Sequence, residues 1–79
     1  MPERNPIRRA VDQSLADYFR HLGSEAQPRA VYRLIVDEAE AAVIANIMAR
    51  CAGNQSKAAQ ILGITRNTLK SKLVAYKLL

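Results

Sequence analysis

Apolar side chains recur near the start of the chain at Ile7, Val11, Leu15, Tyr18, Phe19 and Leu22, a three-to-four-residue rhythm broken only by the adjacent Tyr18 and Phe19. That rhythm puts them on one stripe of an amphipathic helix. Asn5-Pro6 precedes the stripe as N-cap and first helical residue. The Asn side chain can accept a free first-turn N–H, and proline's fixed φ suits a position whose own donor would go unused. Gly23 is expected to end this helix at C′, and Ser24-Glu25-Ala26-Gln27 is a short polar connection to Pro28, the expected start of a second helix. From about Pro28 to Cys51 the apolar positions are Val31, Leu34, Ile35, Val36, Val43, Ile44, Ile47 and Met48, with alanines between. They cover more than one helix face. In so short a chain the available neighbours are the first helix and a second copy of the protein, so the pattern predicts a dimer core with the second helix through its middle. The alternative is an ordinary buried helix in a monomer.

Gly53-Asn54 then supplies a stop for the second helix, with Gly53 at C′, and an N-cap for the third. The third helix is short, Gln55 to Leu62, and its Ala58, Ala59, Ile61 and Leu62 are expected to face inward. Gly63-Ile64-Thr65 interrupts the helical pattern, and a fourth helix runs from Arg66 to about Tyr76 with Leu69, Leu73 and Tyr76 on its core face. Short helix, glycine turn, second helix is the helix-turn-helix layout. Its physical requirements are met. Ala58 and Ala59 are small where two backbones approach, Gly63 tolerates a positive φ at the turn, and Ile64, Leu69 and Leu73 lock the second helix against the first. No strand-period alternation, internal repeat or low-complexity tract interrupts this pattern, so the predicted fold class is all-α, one domain of four helices.

Composition narrows the function. A chain of 79 residues buries only about 60% of its unfolded surface, too little to enclose a catalytic pocket easily, and dimerisation relieves that shortage. The single Cys51 forms no intramolecular disulfide, and with the single His21 it cannot furnish a tetrahedral protein-only metal site. A reducing, cytoplasmic setting fits best, with no cofactor expected. No apolar run follows the charges of Met1-Pro2-Glu3-Arg4-Asn5, so no signal peptide is visible. Val31 to Cys51 is broken by Arg33, Asp37, Glu38, Glu40, Asn46 and Arg50, which excludes it as a membrane span. Catalysis is the least favoured class: His21 reads as a surface or capping residue at a helix end, and Cys51 as core.

Charge sharpens the picture. The formal net charge is +5. Residues 1 to 52 carry seven basic and seven acidic side chains, whereas residues 53 to 79 carry Lys57, Arg66, Lys70, Lys72 and Lys77 and no acid. Such asymmetry suits an end that meets a polyanion, and a merely solvated basic tail is the bland alternative. At about 100° per residue, Arg66, Asn67, Lys70, Ser71 and Val74 point away from the core face of the fourth helix, with Thr68 and Lys72 on its flank. The first residues of the second helix in such a motif reach base edges, which singles out Thr65, Arg66 and Asn67. Arg66 is best suited, because a guanidinium grips O6 and N7 of guanine with two hydrogen bonds. Asn54, Ser56 and Lys57 open the third helix, where free N–H groups and the positive dipole end favour a phosphate. For Asn54 and Ser56, plain N-capping is an equal alternative and compatible with that role. Thr68, Lys70, Lys72 and Lys77 complete a rim of expected phosphate contacts.

The run from Gly53 to Leu73, with its G-N-Q-x-x-A-A and G-I-x-R-x-T-L-x-x-K-L pieces, resembles the helix-turn-helix of the Fis family and is similar to the C-terminal domains of NtrC-type enhancer-binding activators. Pro6-Ile7-Arg8, Asp17-Tyr18-Phe19 and Val31-Tyr32 also look like Fis, so the resemblance covers nearly the whole chain from Pro6. It implies a homodimeric bacterial nucleoid protein that binds and bends double-stranded DNA, with four helices per protomer. The first two helices, about residues 6–52, would intertwine between subunits, and about residues 53–79 would form the DNA-binding part. Carried over, the base-contacting arginine falls on Arg66 and the phosphate-contacting positions on Asn54, Ser56, Lys57, Thr68, Lys70 and Lys72. The resemblance also implies recognition largely through DNA deformability. Three departures stand out: Thr65 replaces a frequent Asn, Ser71 replaces a common Lys, and the end Val74-Ala75-Tyr76-Lys77-Leu78-Leu79 is less basic than usual. The N-terminal arm that stimulates DNA inversion in the best-known members is not expected here.

The leading expectation is therefore a non-enzymatic, homodimeric DNA-bending protein of the bacterial nucleoid that acts in transcription regulation, with neither membrane nor small-molecule partners. A helical protein-interaction module, and the DNA-binding domain of an enhancer-binding activator, are the alternatives.

Overall fold

The computed structural model describes residues 5–24 and 27–79; Met1 to Arg4, together with Glu25 and Ala26 of the expected connection, lie outside them. Four helices follow in order, α1 (Pro6–Leu22), α2 (Val31–Arg50), α3 (Gln55–Leu62) and α4 (Arg66–Ala75), and the described residues contain no strand. By packing, the chain divides into two compact units, Met1–Ile35 and Val36–Leu79.

In the first unit, α1 starts as its sequence dictates. Asn5 Oδ1 accepts the N–H groups of Ile7 at 2.8 Å and Arg8 at 3.3 Å, with Pro6 in the first helical position. The polar face is stitched along the helix axis: Gln13 Nε2 donates to Asp17 Oδ1 at 3.1 Å, and Arg20 pairs with the same carboxylate at 2.9 Å. His21 ends the helix exposed, its Nδ1 2.7 Å from the Asp17 carbonyl oxygen, which is the surface and capping role expected of it. Basic Arg20 and His21 in the last turn also suit the negative end of the helix dipole. Gly23 follows at φ 88°. The apolar stripe forms, but none of its residues is buried, and Ile7 is 73% exposed.

α2 begins at Val31, three residues beyond the expected Pro28. The reason is Ala30, whose φ of 52° turns the backbone out of helical geometry; its carbonyl then accepts the Leu34 N–H at 2.9 Å. The other end holds a second correction. Met48 O accepts the Gly53 N–H at 3.0 Å and Ala49 O accepts the Ala52 N–H at 3.1 Å, a Schellman closure whose left-handed C′ residue is Ala52, at φ 53°. Gly53 sits one place later than expected. Cys51, in the same turn, is buried as a core residue.

The second unit has a core of Ile44, Cys51, Ala58, Ala59, Leu69 and Leu73, flanked by half-buried Ile47, Met48, Leu62, Ile64 and Tyr76. Leu69 and Leu73 are fully buried, which is worth about 1.5–3 kcal/mol each in apolar area removed from water. Ala58 and Ala59 lie against α4 with almost no exposure, so two helix backbones can approach there. Ile61 departs from expectation, being 56% exposed. Its direction lies about 110° round the helix from the centre of the Ala58, Ala59 and Leu62 face.

Candidate nucleic-acid interface

The turn between α3 and α4 fixes everything that follows. Gly63 takes the left-handed conformation at φ 79°, and the next N–H, from Ile64, donates to Ala59 O at 3.0 Å, closing α3 with the Schellman bond. A Cβ at Gly63 would meet nothing within 4 Å, so the backbone angle alone selects glycine. Ile64 then turns its half-buried side chain onto the core and starts the chain toward α4.

Thr65 caps α4. Its Oγ1 accepts the Thr68 N–H at 3.1 Å and donates its own proton to Thr68 Oγ1 at 2.9 Å. The Thr65 hydroxyl is thereby committed to the helix, leaving its methyl as the part free to meet a base edge. Thr68 is itself exposed beside the cap. Beyond the cap, Arg66, Asn67, Lys70, Ser71 and Val74 are all exposed, and no acid stands in the first turn of α4. Arg66 therefore opens an acid-free outer face at the positive end of the helix dipole.

At the start of α3, Asn54 Oδ1 accepts the Lys57 N–H at 3.1 Å, so Asn54 is an N-cap. Ser56 and Lys57 are exposed beside it, again with no acid in the first turn. An anion is the ligand such a helix opening favours.

Lys72 is placed differently from the other basic residues. Its Nζ lies 2.9 Å from Glu40 Oε2 of α2, and the Tyr76 hydroxyl donates to Glu40 Oε1. One carboxylate thus holds two consecutive turns of α4. Glu40 is the site residue that local sequence reasoning passes over, since 36 residues separate it from Tyr76 and no spacing rule joins them. Lys77, at the far end, is exposed and left-handed at φ 58°, its N–H donating to Val74 O.

Among the described residues no group of three or more His, Cys, Asp and Glu side chains is placed to hold a metal ion, and no helix is long and apolar enough to cross a membrane.

Residues 35–76, which include the whole helix-turn-helix together with Glu40 and Tyr76, match the family model of bacterial regulatory proteins of the Fis family. The chain belongs to the Fis family. A Fis-like DNA-binding protein of Neisseria meningitidis is 39% identical to this Fis-family chain over the full length of both. Another Fis-like DNA-binding protein, from Ralstonia nicotianae, is 42% identical over 96% of this chain and 97% of its own. The DNA-binding protein Fis of Buchnera aphidicola is 38% identical over 92% of this chain and 74% of its own.

Proposed function

We propose that this Fis-family chain binds double-stranded DNA through α4 as a homodimer, and that it bends the duplex in transcription regulation and nucleoid organisation. The observation that carries the DNA reading is the outer face of α4: Arg66, Asn67, Lys70 and Ser71 exposed together, free of acid, on a helix fixed by buried Leu69 and Leu73. Arg66 takes a guanine edge in the major groove, with Asn67 and the Thr65 methyl beside it. Asn54, Ser56, Lys57, Thr68 and Lys70 contact phosphates that set register, with Lys72 on the flank already paired to Glu40. The names of the relatives agree, each being called a DNA-binding protein.

The dimer reading rests on apolar surface. Tyr32 is 77% exposed, Ile7 73% and Val43 52%, large apolar side chains that a second copy of the chain would cover. Bending is what the family resemblance implies, with specificity drawn from how easily a sequence deforms.

Titration of a labelled duplex of about 27 base pairs tests the DNA reading: if a dimer neutralises roughly eight phosphates, log affinity falls against log salt with a slope of about −7. Arg66→Ala is expected to weaken binding by about 1–3 kcal/mol. A flat salt dependence, or no binding at low salt, would leave the protein-interaction module as the better reading.

A further inference from the structure

We infer that Glu40 is a positioning residue for the recognition helix, holding α4 through Lys72 and Tyr76 and thereby withdrawing Lys72 from the set of phosphate contacts. This inference rests on α4 being the DNA-binding helix. Glu40 belongs to α2, and its two carboxylate oxygens serve two different partners, one on α4 and one at its C-cap: Oε2 faces Lys72 Nζ at 2.9 Å, while Oε1 accepts the Tyr76 hydroxyl proton. Lys72 and Tyr76 are four residues apart, hence on one side of α4, neighbouring the core face of Leu69 and Leu73. Packing by two leucines restrains the distance of a helix from its neighbour more strongly than its rotation about its own axis. A charge-assisted two-point contact supplies the missing restraint. Rotation matters here because Arg66 and Asn67 must meet base edges at hydrogen-bond geometry.

Lys72 and Glu40 side chains are only 33% and 36% exposed, so the pair sits where its attraction is less screened than between solvated charges. For Lys72 to reach a phosphate it would have to abandon a partner of the same sign as the phosphate and leave that carboxylate half-buried beside the DNA. Lys70, two residues earlier, is exposed, whereas Lys72 is only half so.

The test measures affinity and salt slope for the native chain, Lys70→Gln, Lys72→Gln, Glu40→Gln, Tyr76→Phe and the Lys72→Gln/Glu40→Gln pair, with helicity checked by circular dichroism. Lys70→Gln is expected to flatten the slope by about 0.9 per protomer. Lys72→Gln should leave the slope unchanged and weaken binding about two- to fivefold, the scale of a half-exposed ion pair. Glu40→Gln should weaken it similarly, and the double variant should be no worse than either single one, because both break the same contact. Tyr76→Phe, which removes the other point of attachment while leaving every charge in place, should also weaken binding at constant slope. The inference is overturned if Lys72→Gln flattens the slope as Lys70→Gln does, or if Glu40→Gln strengthens binding, since Lys72 would then be a phosphate contact that Glu40 merely obstructs. Unchanged affinity in both single variants overturns it as well. Failure of the DNA reading would look different: the native chain would not bind, or Lys70→Gln would have no effect.

Discussion

At the residue scale, the hydroxyl of Thr65 caps α4 and bonds a second hydroxyl at once. It accepts the Thr68 N–H and donates to Thr68 Oγ1, so one atom ties the first turn of α4 together and engages a second hydroxyl. Thr65→Val keeps the shape and removes both bonds; an N-cap loss of this kind costs about 1 kcal/mol, read as a lower urea midpoint at constant m-value. Thr65→Ser retains the hydroxyl and should keep both stability and duplex affinity. If Thr65→Val proves as stable as the native chain, the cap is not what holds this turn. Residue-level chemistry of this local kind was legible beforehand: Asn5 and Asn54 before their helices, Gly63 at the turn, and Leu69 and Leu73 on one face all sit where spacing alone places them. Glu40 was not, because its partners come from a distant stretch of chain. Counting charge by segment assigns Glu40 to a neutral half and Lys72 to a basic one, whereas in space the two neutralise each other.

At the element scale, helix ends show where local rules fail. Three helices close with the N–H to carbonyl bond that spans five residues, from Gly53 to Met48, Ile64 to Ala59 and Leu78 to Leu73. Only α3 uses glycine at the left-handed position; α2 places Ala52 there and α4 places Lys77. A side chain in that conformation costs about 1–2 kcal/mol, which tertiary packing of the elements on either side must offset. The sequence pattern puts Gly53 at C′ by preference, and the structure shifts it by one because buried Cys51 and the Asn54 cap fix the length of the connection. Ala30 is left-handed too, and α2 starts after it rather than at Pro28. Ala52→Gly is therefore expected to raise stability by about 0.5–1 kcal/mol, the conformational relief less the greater flexibility of glycine in the unfolded chain. Gly63→Ala should lower it by about 1 kcal/mol, purely through backbone angle, since its Cβ has open space. Chemical denaturation of both variants measures the two signs, and a destabilised Ala52→Gly would refute the account of α2's end.

At the scale of the whole molecule, the decisive question is what meets the apolar residues that one chain leaves in water. The sequence makes α2 apolar on more than one face, yet of its described residues only Ile44 is buried. Ala42, Val43, Asn46 and Ile47 line a shallow groove along α2, a row of small and branched side chains with a single amide. A charge placed there discriminates between a solvated face and an interface. If Val43 meets water, Val43→Glu changes stability by no more than about 0.5 kcal/mol, as surface substitutions do. If a second copy covers it, burying an unpaired carboxylate costs several kcal/mol, and because symmetry makes the substitution act twice, the dimer dissociates. The native chain should then sediment at twice its 8.8 kDa mass with a melting temperature that rises with protein concentration, and Val43→Glu should sediment at the single-chain mass. Duplex binding should weaken in step and its salt slope should fall toward half, since each protomer would bring only its own phosphate contacts. A Val43→Glu protein that remains dimeric would remove this groove from the interface, and a native chain that is monomeric at every concentration would remove the dimer.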